Sequence, residues 1–395
     1  MATTDDAPQQ FANAQYEIYL NGMAGKVPDH PITYRALERR ARKLLSAGAY
    51  GYVAGGAGDE STVAANHRAF ERWRIVPRML RDVGVRDMRT EVLGTPMPAP
   101  LMLAPIGVQS IVHPDGELAT ARAAAELGIP AVLSTASSYT IEEFAEAMGD
   151  APRWYQLYWP NDPELAASFL QRAERAGYGA IVVTLDTWLL AWRPRDLEQA
   201  YLPFLKGIGV ANYFSDPVFR ASLEKPPEED LQAAVGQWVA KYSDPTVTWE
   251  NLTLLRENTE LPIVLKGIQH ADDARRAADV GMDGIVVSNH GGRQVDGAVA
   301  SLDALPPIVD AVPDDFPVLF DSGVRTGADA FKALALGARA VLIGRPYVWG
   351  LAVGGQDGVR HVVRGLLAEL DLTLALSGHT NFGDVGPDVL VRERD

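Results

Sequence analysis

Residues 284–293 read Gly-Ile-Val-Val-Ser-Asn-His-Gly-Gly-Arg. The run begins as a buried strand, with Ile285, Val286 and Val287 in succession after a glycine turn. A continuous apolar strand has both faces covered, which points to a parallel sheet. The apolar character then stops. Ser288, Asn289 and His290 are polar, Gly291 and Gly292 free the backbone, and Arg293 follows. The strand delivers an imidazole and a guanidinium to its C-terminal end, where parallel α/β architectures place their chemistry.

Seven further runs of this kind lie at 101–104, 131–135, 154–158, 180–186, 262–266, 317–321 and 340–344. Helical segments at 116–127, 141–148, 163–176, 271–280, 302–309 and 326–336 alternate with them. Eight strand–helix units predict an α/β fold, a closed (β/α)8 TIM barrel over residues 98–376, rather than an open sheet. All 395 residues are expected to form one domain. Residues 1–97 would be an N-terminal helical extension and 377–395 a polar C-terminal tail. Leu37, Ala41, Leu44 and Leu45 mark one side of a helix over 34–45. The stretch Tyr-Gly-Tyr-Val-Ala-Gly-Gly-Ala-Gly at 50–58 reads as too glycine-rich for a helix, and Asp59 and Glu60 as the opening of the next one. A last helix is expected over 358–376.

One interval breaks the rhythm. Residues 187–247 form a long loop after strand four, a length expected of a lid. Its aromatics Tyr201, Phe204, Tyr213, Phe214 and Phe219 argue for packing in part of it, and the acidic stretch 224–232 for a solvated tip.

The chain contains no cysteine, which excludes disulfides, thiolate nucleophiles and iron–sulfur clusters and is compatible with a cytoplasmic location. A formal charge of −15 disfavours nucleic acid and anionic membrane as partners. No apolar run approaches the roughly 18 residues of a membrane span. Met1 to Gln10 lack an apolar secretory core and read as a frayed tail.

The strand ends are unusually polar. They offer Pro105-Ile106-Gly107, Ser134, Gln156 with Tyr158, Thr184 with Asp186, Lys266, Ser288 with His290, Asp321 to Arg325, and Gly344-Arg345. For Thr184 or Ser134 alone, bonding to neighbouring strands suffices as an explanation. A lysine closing a buried strand must find an anion or lose its charge. Asp186 suits either a role in the site or an ion pair with a nearby arginine. The stretch Asp321-Ser-Gly-Val-Arg-Thr-Gly327, followed by Ile343-Gly-Arg-Pro346, fits the phosphate site common after strands seven and eight. The phosphate would belong to a substrate or to a cofactor. Arg193 and Arg293 suit a small carboxylate, His290 suits a general base, and Tyr52 and Tyr158 could donate to a carboxylate or hydroxyl. No spacing of histidines and carboxylates suggests a metal.

Together these motifs resemble the FMN-dependent 2-hydroxy-acid oxidase and dehydrogenase family. The likeness runs from about Tyr34 to Ser377 and includes 70–77, Gln156-Leu-Tyr158, Thr184-Leu-Asp186, Lys266-Gly267 and Ser288-Asn-His-Gly-Gly-Arg-Gln294. Residues 185–196, with 104–107 and 212–219, look most like its lactate 2-monooxygenase branch. The resemblance implies FMN as cofactor and His290 as base, with Asp186 pairing with it. Arg193 and Arg293 would hold the substrate carboxylate, helped by Tyr52 and Tyr158. Lys266 would face the flavin edge where charge develops on reduction. Pro105, Ile106, Gly107, Ser134, Gln156, Thr184 and Ser288 would contact the ring or ribityl chain, and Asp321, Gly323, Arg325, Gly344 and Arg345 the ribityl chain and phosphate. It further implies L-lactate and O2 as substrates and a homotetramer or homo-octamer. The products would be acetate, CO2 and water, or pyruvate and H2O2 in a simple oxidase. A flavin-free phosphate-binding barrel, a lyase or isomerase, is the rival from another class. Two departures stand out: glycolate oxidases carry tryptophan where this chain has Ala136, and usually alanine where it has Gly107.

Overall fold

In the computed structural model, which describes residues 7–393, the eight predicted runs close into one barrel. They are β1 (Leu101–Leu103), β2 (Ala131–Ser134), β3 (Arg153–Leu157), β4 (Ile181–Thr184), β5 (Ile263–Ile268), β6 (Gly284–Val287), β7 (Val318–Phe320) and β8 (Ala340–Ile343). Each pairs in parallel with its sequence neighbour, and β8 closes on β1 through Val341 opposite Leu101. The intervening helices Gly116–Leu127, Ile141–Met148, Pro163–Arg175, Ala271–Asp279, Ser301–Val309 and Gly327–Ala335 agree with the expected ones to within two residues.

The period of two along each strand divides the core. Met102, Val132, Trp154, Val182, Val264, Val286, Leu319 and Leu342 point inward and fill the barrel. Their neighbours Leu103, Leu133, Tyr155, Val183, Leu265, Ile285, Phe320 and Ile343 point outward under the helices. The ribbon of Thr90–Val92 and Thr95–Met97 closes the N-terminal end with Val92 and Met97, and Trp154 Nε1 donates to Thr95 Oγ1 at 2.9 Å. Two residues beyond each inward apolar side chain lies the opposite mouth. The same register therefore aims Ala104, Ser134, Gln156, Thr184, Lys266, Ser288, Asp321 and Gly344 at that end.

Several expectations outside the barrel need correction. The glycine-rich stretch is helical from Ala47 to Ala54. Ser46 caps it by accepting from the Ala49 amide at 3.2 Å, and burial of Ala49, Gly51, Val53 and Ala54 outweighs the glycine penalty. Gly48 lets the Tyr201 ring approach, since a Cβ there would sit 2.6 Å from the tyrosine Cδ2. In the helix Tyr34–Leu44, Leu37 and Ala41 are buried but Leu44 is exposed. The next helix starts at Ser61 rather than Asp59; Asp296, not a local carboxylate side chain, accepts from the Thr62 amide at 3.0 Å and the Asp59 amide at 2.9 Å.

The N-terminal tail expected over residues 1–10 lies outside the described residues up to Asp6. Gln10, by contrast, is tied to the Arg86 backbone through both ends of its amide, at 2.8 and 3.1 Å. The buried Asp371 carboxylate then accepts from the Ala12 amide and the Arg86 guanidinium, each at 2.7 Å. The C-terminal tail is also ordered where it is described: Leu390–Arg392 pairs antiparallel with Trp73–Ile75.

The last helix starts at Arg345, not at 358, and kinks at Gly354 and Gly355, whose backbone angles are non-helical. The kink brings Gly350 against Gly358, where a Cβ on Gly358 would sit 2.0 Å from the Gly350 carbonyl oxygen. Gly358→Ala is expected to destabilise the fold by about 3 kcal/mol, because backbone rather than a flexible side chain must yield. Unchanged urea unfolding of the variant would refute that reading of the kink.

The 187–247 interval is folded. It contains the helices Pro194–Glu198, Ala211–Ser215, Pro217–Ala221 and Leu231–Lys241, and Phe204, Tyr213, Phe219 and Trp238 are buried in it. Glu228 in the acidic stretch is exposed and pairs with Arg220 at 2.9 Å, while Pro227 beside it is buried.

Candidate active site

A cleft opens at the C-terminal mouth of the barrel. Tyr52, Pro105, Ile106, Gly107, Ser134, Tyr158, Thr184, Arg193, Lys266, His290, Arg293, Asp321, Gly323, Arg325, Gly344 and Arg345 all line it. Three expected residues stand behind its wall instead. Asp186 backs His290. Ser288 is fully buried, its hydroxyl accepting from Lys266 Nζ and from the His290 amide, both at 3.0 Å. Gln156 is buried with its Oε1 accepting from the Ser134 hydroxyl at 2.9 Å.

The loop after β6 is built to hold one imidazole. His290, Gly291 and Gly292 all have positive φ, at 58°, 65° and 76°. Glycine adopts this region freely, whereas for histidine it is a strained conformation of the kind functional sites hold. Surrounding side chains hold it in place. Ser322 Oγ accepts from the Gly291 amide at 3.0 Å, Asn289 Oδ1 accepts from the Gly292 amide at 3.1 Å, and the Asn289 and Asn66 amides pair at 2.7 Å. Gly292 has no alternative, since a Cβ would lie 2.7 Å from the Val63 nitrogen.

His290 Nδ1 lies 2.8 Å from Asp186 Oδ1. Thr187 Oγ1 donates to the same carboxylate oxygen at 2.9 Å. Burial alone would raise the Asp186 pKa, but His290 and Lys266 outweigh it and bring it down to about 2. Burial lowers the His290 pKa, with Lys266 and Arg193 adding to the effect and Asp186 opposing it. The pair at neutral pH is therefore an ionised Asp186 and a neutral imidazole whose Nδ1–H donates to it. That tautomer leaves the Nε2 lone pair available as an acceptor.

Lys266 Nζ sits between Ser288 Oγ at 3.0 Å and Asp321 Oδ2 at 3.1 Å. Burial works against its charge, but Asp321 and Asp186 hold its pKa above the ordinary value.

Four guanidinium groups border the cleft. Arg193 donates to the Arg293 carbonyl at 3.0 Å and to Gln294 Oε1 at 2.6 Å, while Gln294 Nε2 donates to the Asp186 carbonyl at 2.7 Å. Gln294 thus ties the loops after β4 and β6 together. Arg293 Nη1 donates to the carbonyls of Tyr52 and Gly55, the latter at 2.8 Å. Burial, then Arg193, lowers the Arg293 pKa to about 10. Arg345 spends its donors on the carbonyls of Val53, Gly55 and Gly291 at 2.9–3.0 Å. Burial, then Arg325 and Arg293, lowers its pKa to about 9. Arg325 lies over the Tyr34 ring at 4.1 Å.

This donor set fits FMN. Like-charged guanidiniums crowded in a buried site favour a multiply charged anion such as a phosphate. The Gln156 Nε2 donor is buried with no protein acceptor, close behind the Ser134 wall. Beside it, β1 and β2 supply a flat apolar wall of Ala104, Ile106 and Ala136. Arg325, Arg345, Gly323 and Gly344 would flank the phosphate end, and Lys266 and Gln156 the polar edge of the ring. The two departures at 107 and 136 turn out to touch each other. A Cβ on Gly107 would lie 2.6 Å from the Ala136 carbonyl oxygen and 3.0 Å from the Ala136 Cβ.

Fold and site together define a flavin-binding (β/α)8 barrel with a base over an anion site. The family model for FMN-dependent dehydrogenases matches residues 41–392, and the chain belongs to the FMN-dependent 2-hydroxy-acid oxidase and dehydrogenase family. It is 49% identical over 389 residues to an FMN-dependent alpha-hydroxy acid dehydrogenase of Penicillium citrinum, covering 98% of this chain and 97% of the relative. It is 44% identical over 376 residues to an L-lactate oxidase of Lysinibacillus sphaericus, covering 95% and 96%. A crystal structure of mandelate oxidase superposes with a TM-score of 0.81 at 39% identity, over 91% of this chain and 98% of that one. FMN is therefore its cofactor.

Sequence reasoning missed Thr187, Leu190, Phe204, Tyr242 and Ser322, all of which line the cleft. Thr187 and Ser322 follow directly on residues that were named. Phe204 and Tyr242 come from the interval after β4 and reach the site only through tertiary packing.

Proposed function

We propose that this chain oxidises L-lactate with O2 and retains the pyruvate, which is decarboxylated to acetate and CO2, as a lactate 2-monooxygenase does. The observation that carries the reading is the neutral His290, held 2.8 Å from Asp186 and facing a cleft shared with Arg193, Arg293, Tyr52 and Tyr158.

When bound, FMN takes the two electrons that leave the 2-hydroxy acid and passes them on to O2. The protein does the rest. Arg193 and Arg293 hold the carboxylate, and the Tyr52 and Tyr158 hydroxyls complete its hydrogen bonds. Burial raises the pKa of both phenols, so they remain donors. His290 accepts a proton from the bound acid at Nε2, and Asp186 stabilises the imidazolium through Nδ1–H. Lys266 faces the negative charge that develops as electrons leave the substrate, a preorganised electrostatic contribution. If pyruvate stays bound, peroxide formed beside it converts it to acetate, CO2 and water.

Relatives named L-lactate oxidase support the other outcome, release of pyruvate and H2O2. The same residues serve both. Anaerobic mixing with L-lactate should bleach the flavin. Product analysis in air then separates the two outcomes, with acetate and little free peroxide expected and stoichiometric pyruvate and H2O2 ruling the monooxygenase out.

Because His290 acts as the neutral base, kcat/KM for L-lactate is expected to be flat near neutrality. It should fall about tenfold per pH unit below the His290 pKa, which lies under the ordinary value of 6.5. A profile that rises toward acid pH would remove His290 from this role.

The proposal includes a cytoplasmic homotetramer or homo-octamer built from one-domain subunits. No described helix is long and apolar enough to cross a membrane. The helix Asn13–Met23 presents Tyr16, Tyr19, Leu20 and Met23 to solvent along one stripe, a surface suited to a subunit contact. Light scattering would report a monomer if that is wrong.

A further inference from the structure

The wall of Ala104, Ile106 and Ala136 is backed by polar groups, and one of them is a carboxyl that the chemistry above leaves unused. Glu117 lies in the first turn of the helix Gly116–Leu127 and is 1% exposed. Its Oε1 accepts from the Gln109 amide at 3.0 Å, beyond β1, and from the Ser138 amide at 3.1 Å, beyond β2. The same two loops meet again where the Val108 amide donates to the Ala136 carbonyl at 2.9 Å. Gln109 carries the connection to the wall itself. Its Nε2 donates to the Ile106 carbonyl at 2.9 Å and to the Tyr347 hydroxyl at 3.3 Å, and that hydroxyl donates to the Ala104 carbonyl at 2.9 Å. Glu117 Oε2 is also buried, and among the described residues it has no hydrogen-bond partner. A carboxylate here would leave charge on an oxygen with neither water nor donor, whereas a carboxylic acid carries its proton there. Burial accordingly pushes the Glu117 pKa up to about 7, against the amides of Gln109 and Ser138.

The other titratable groups on the elements around it are Tyr347 on the last helix, Tyr139 and Glu143 beyond β2, and His113, Asp115 and Arg122 near it in sequence. Both phenols stay protonated near neutrality. Burial, then Glu117, raises the Tyr347 pKa, and burial, then Asp115 and Glu117, raises that of Tyr139. Asp115 pairs with Arg122 at 3.0 Å, Glu143 accepts from the Thr140 amide at 2.8 Å, and His113 Nδ1 accepts from the Asp115 amide at 3.2 Å.

We propose that Glu117 is a positioning residue for the flavin wall: its Oε1 fixes the loops after β1 and β2 to each other, and a proton on Oε2 keeps that joint closed against FMN. Loss of the proton leaves an uncompensated charge behind the wall and loosens the hold on the cofactor. The inference is independent of which acid the enzyme oxidises. When the wall opens to release FMN, Glu117 meets water and returns to its ordinary value of 4.5. The closed state therefore binds the proton more tightly. Its contribution is full at low pH and is lost as pH rises through about 7.

The test is the rate at which diluted holoenzyme releases FMN, read from the fluorescence of free flavin, in the wild type and in Glu117→Gln. Glutamine keeps an acceptor for both amides and cannot ionise. Between about pH 6 and pH 8 the wild-type rate should rise about tenfold relative to that of the variant, the effect of losing one proton across that interval. Ionisation of the FMN phosphate and of the cleft arginines acts on both proteins and cancels in the ratio. A ratio constant to within twofold overturns the proposal, because a merely structural change alters release equally at both ends of the range. If Glu117→Gln does not retain FMN, the wild-type holoenzyme carries the test alone. The infrared carbonyl band of a buried carboxylic acid should then disappear over the same range, in step with faster release. A flat release rate, or a band that does not change, overturns the proposal equally.

Discussion

His290→Ala is expected to slow anaerobic flavin reduction by L-lactate by about three orders of magnitude, the range a positioned general base contributes. The affinity for oxalate, a carboxylate that needs no deprotonation, should change only a few-fold, because Arg193 and Arg293 stay in place. Stopped-flow reduction and an oxalate titration read the two quantities separately. The imidazole is well prepared for this role. Its backbone is held at a φ of 58°, its Nδ1 lies 2.8 Å from Asp186, and burial keeps it neutral. Alanine also leaves the buried Asp186 without that partner, so the variant should be measured above pH 7, where Lys266 still offsets the carboxylate. Equal losses in reduction rate and oxalate binding would show that the substitution had collapsed the anion site rather than removed a base.

The second large effect is expected at Lys266. Its ammonium group lies 3.1 Å from Asp321 Oδ2 in a buried setting. Lys266→Met leaves that carboxylate uncompensated, and breaking a buried pair from one side costs about 3–5 kcal/mol. For a chain of this length the loss corresponds to a fall of about 4–6 °C in Tm. Flavin reduction should slow by about 100- to 1000-fold, the scale of removing one preorganised donor. The double variant Lys266→Met/Asp321→Asn separates the two consequences. Neutralising the orphaned carboxylate should recover most of the stability and none of the rate. Recovery of both would mean that Lys266 is purely a partner for Asp321.

How much of this could be read from the chain depended on the range of the interactions involved. The eight strands were legible because burial on both faces leaves continuous apolar runs such as Ile285-Val-Val287. Their polar ends were legible for the same reason: Lys266 and Asp321 break such runs where a structural residue would not. The helix Ala47–Ala54 was not, because Gly48 reflects the close approach of the Tyr201 ring, 153 positions further on, and not local propensity. The same holds for Phe204 and Tyr242, which have no local pattern marking them for the cleft. Their place depends on rings packing against Trp238 across an irregular segment. Arg345 shows a different limit. A glycine–arginine pair after β8 suggests a charge aimed at phosphate, yet three of its donors hold main-chain carbonyls, a geometry that only coordinates reveal.

The alternation of inward and outward side chains along the strands has a consequence for how this protein can vary. Deleting one residue within β5 would turn Val264 and Lys266 toward the helices and Leu265 into the barrel, so core and chemistry would be lost together. Loops beyond the strand ends carry no such coupling. Lineages and engineered libraries alike should therefore tolerate insertions after β4 while losing nearly every length change inside a strand. A deep insertion–deletion scan of the chain would trace the eight strands as a ladder of intolerance, with its longest gap where Tyr242 enters the site.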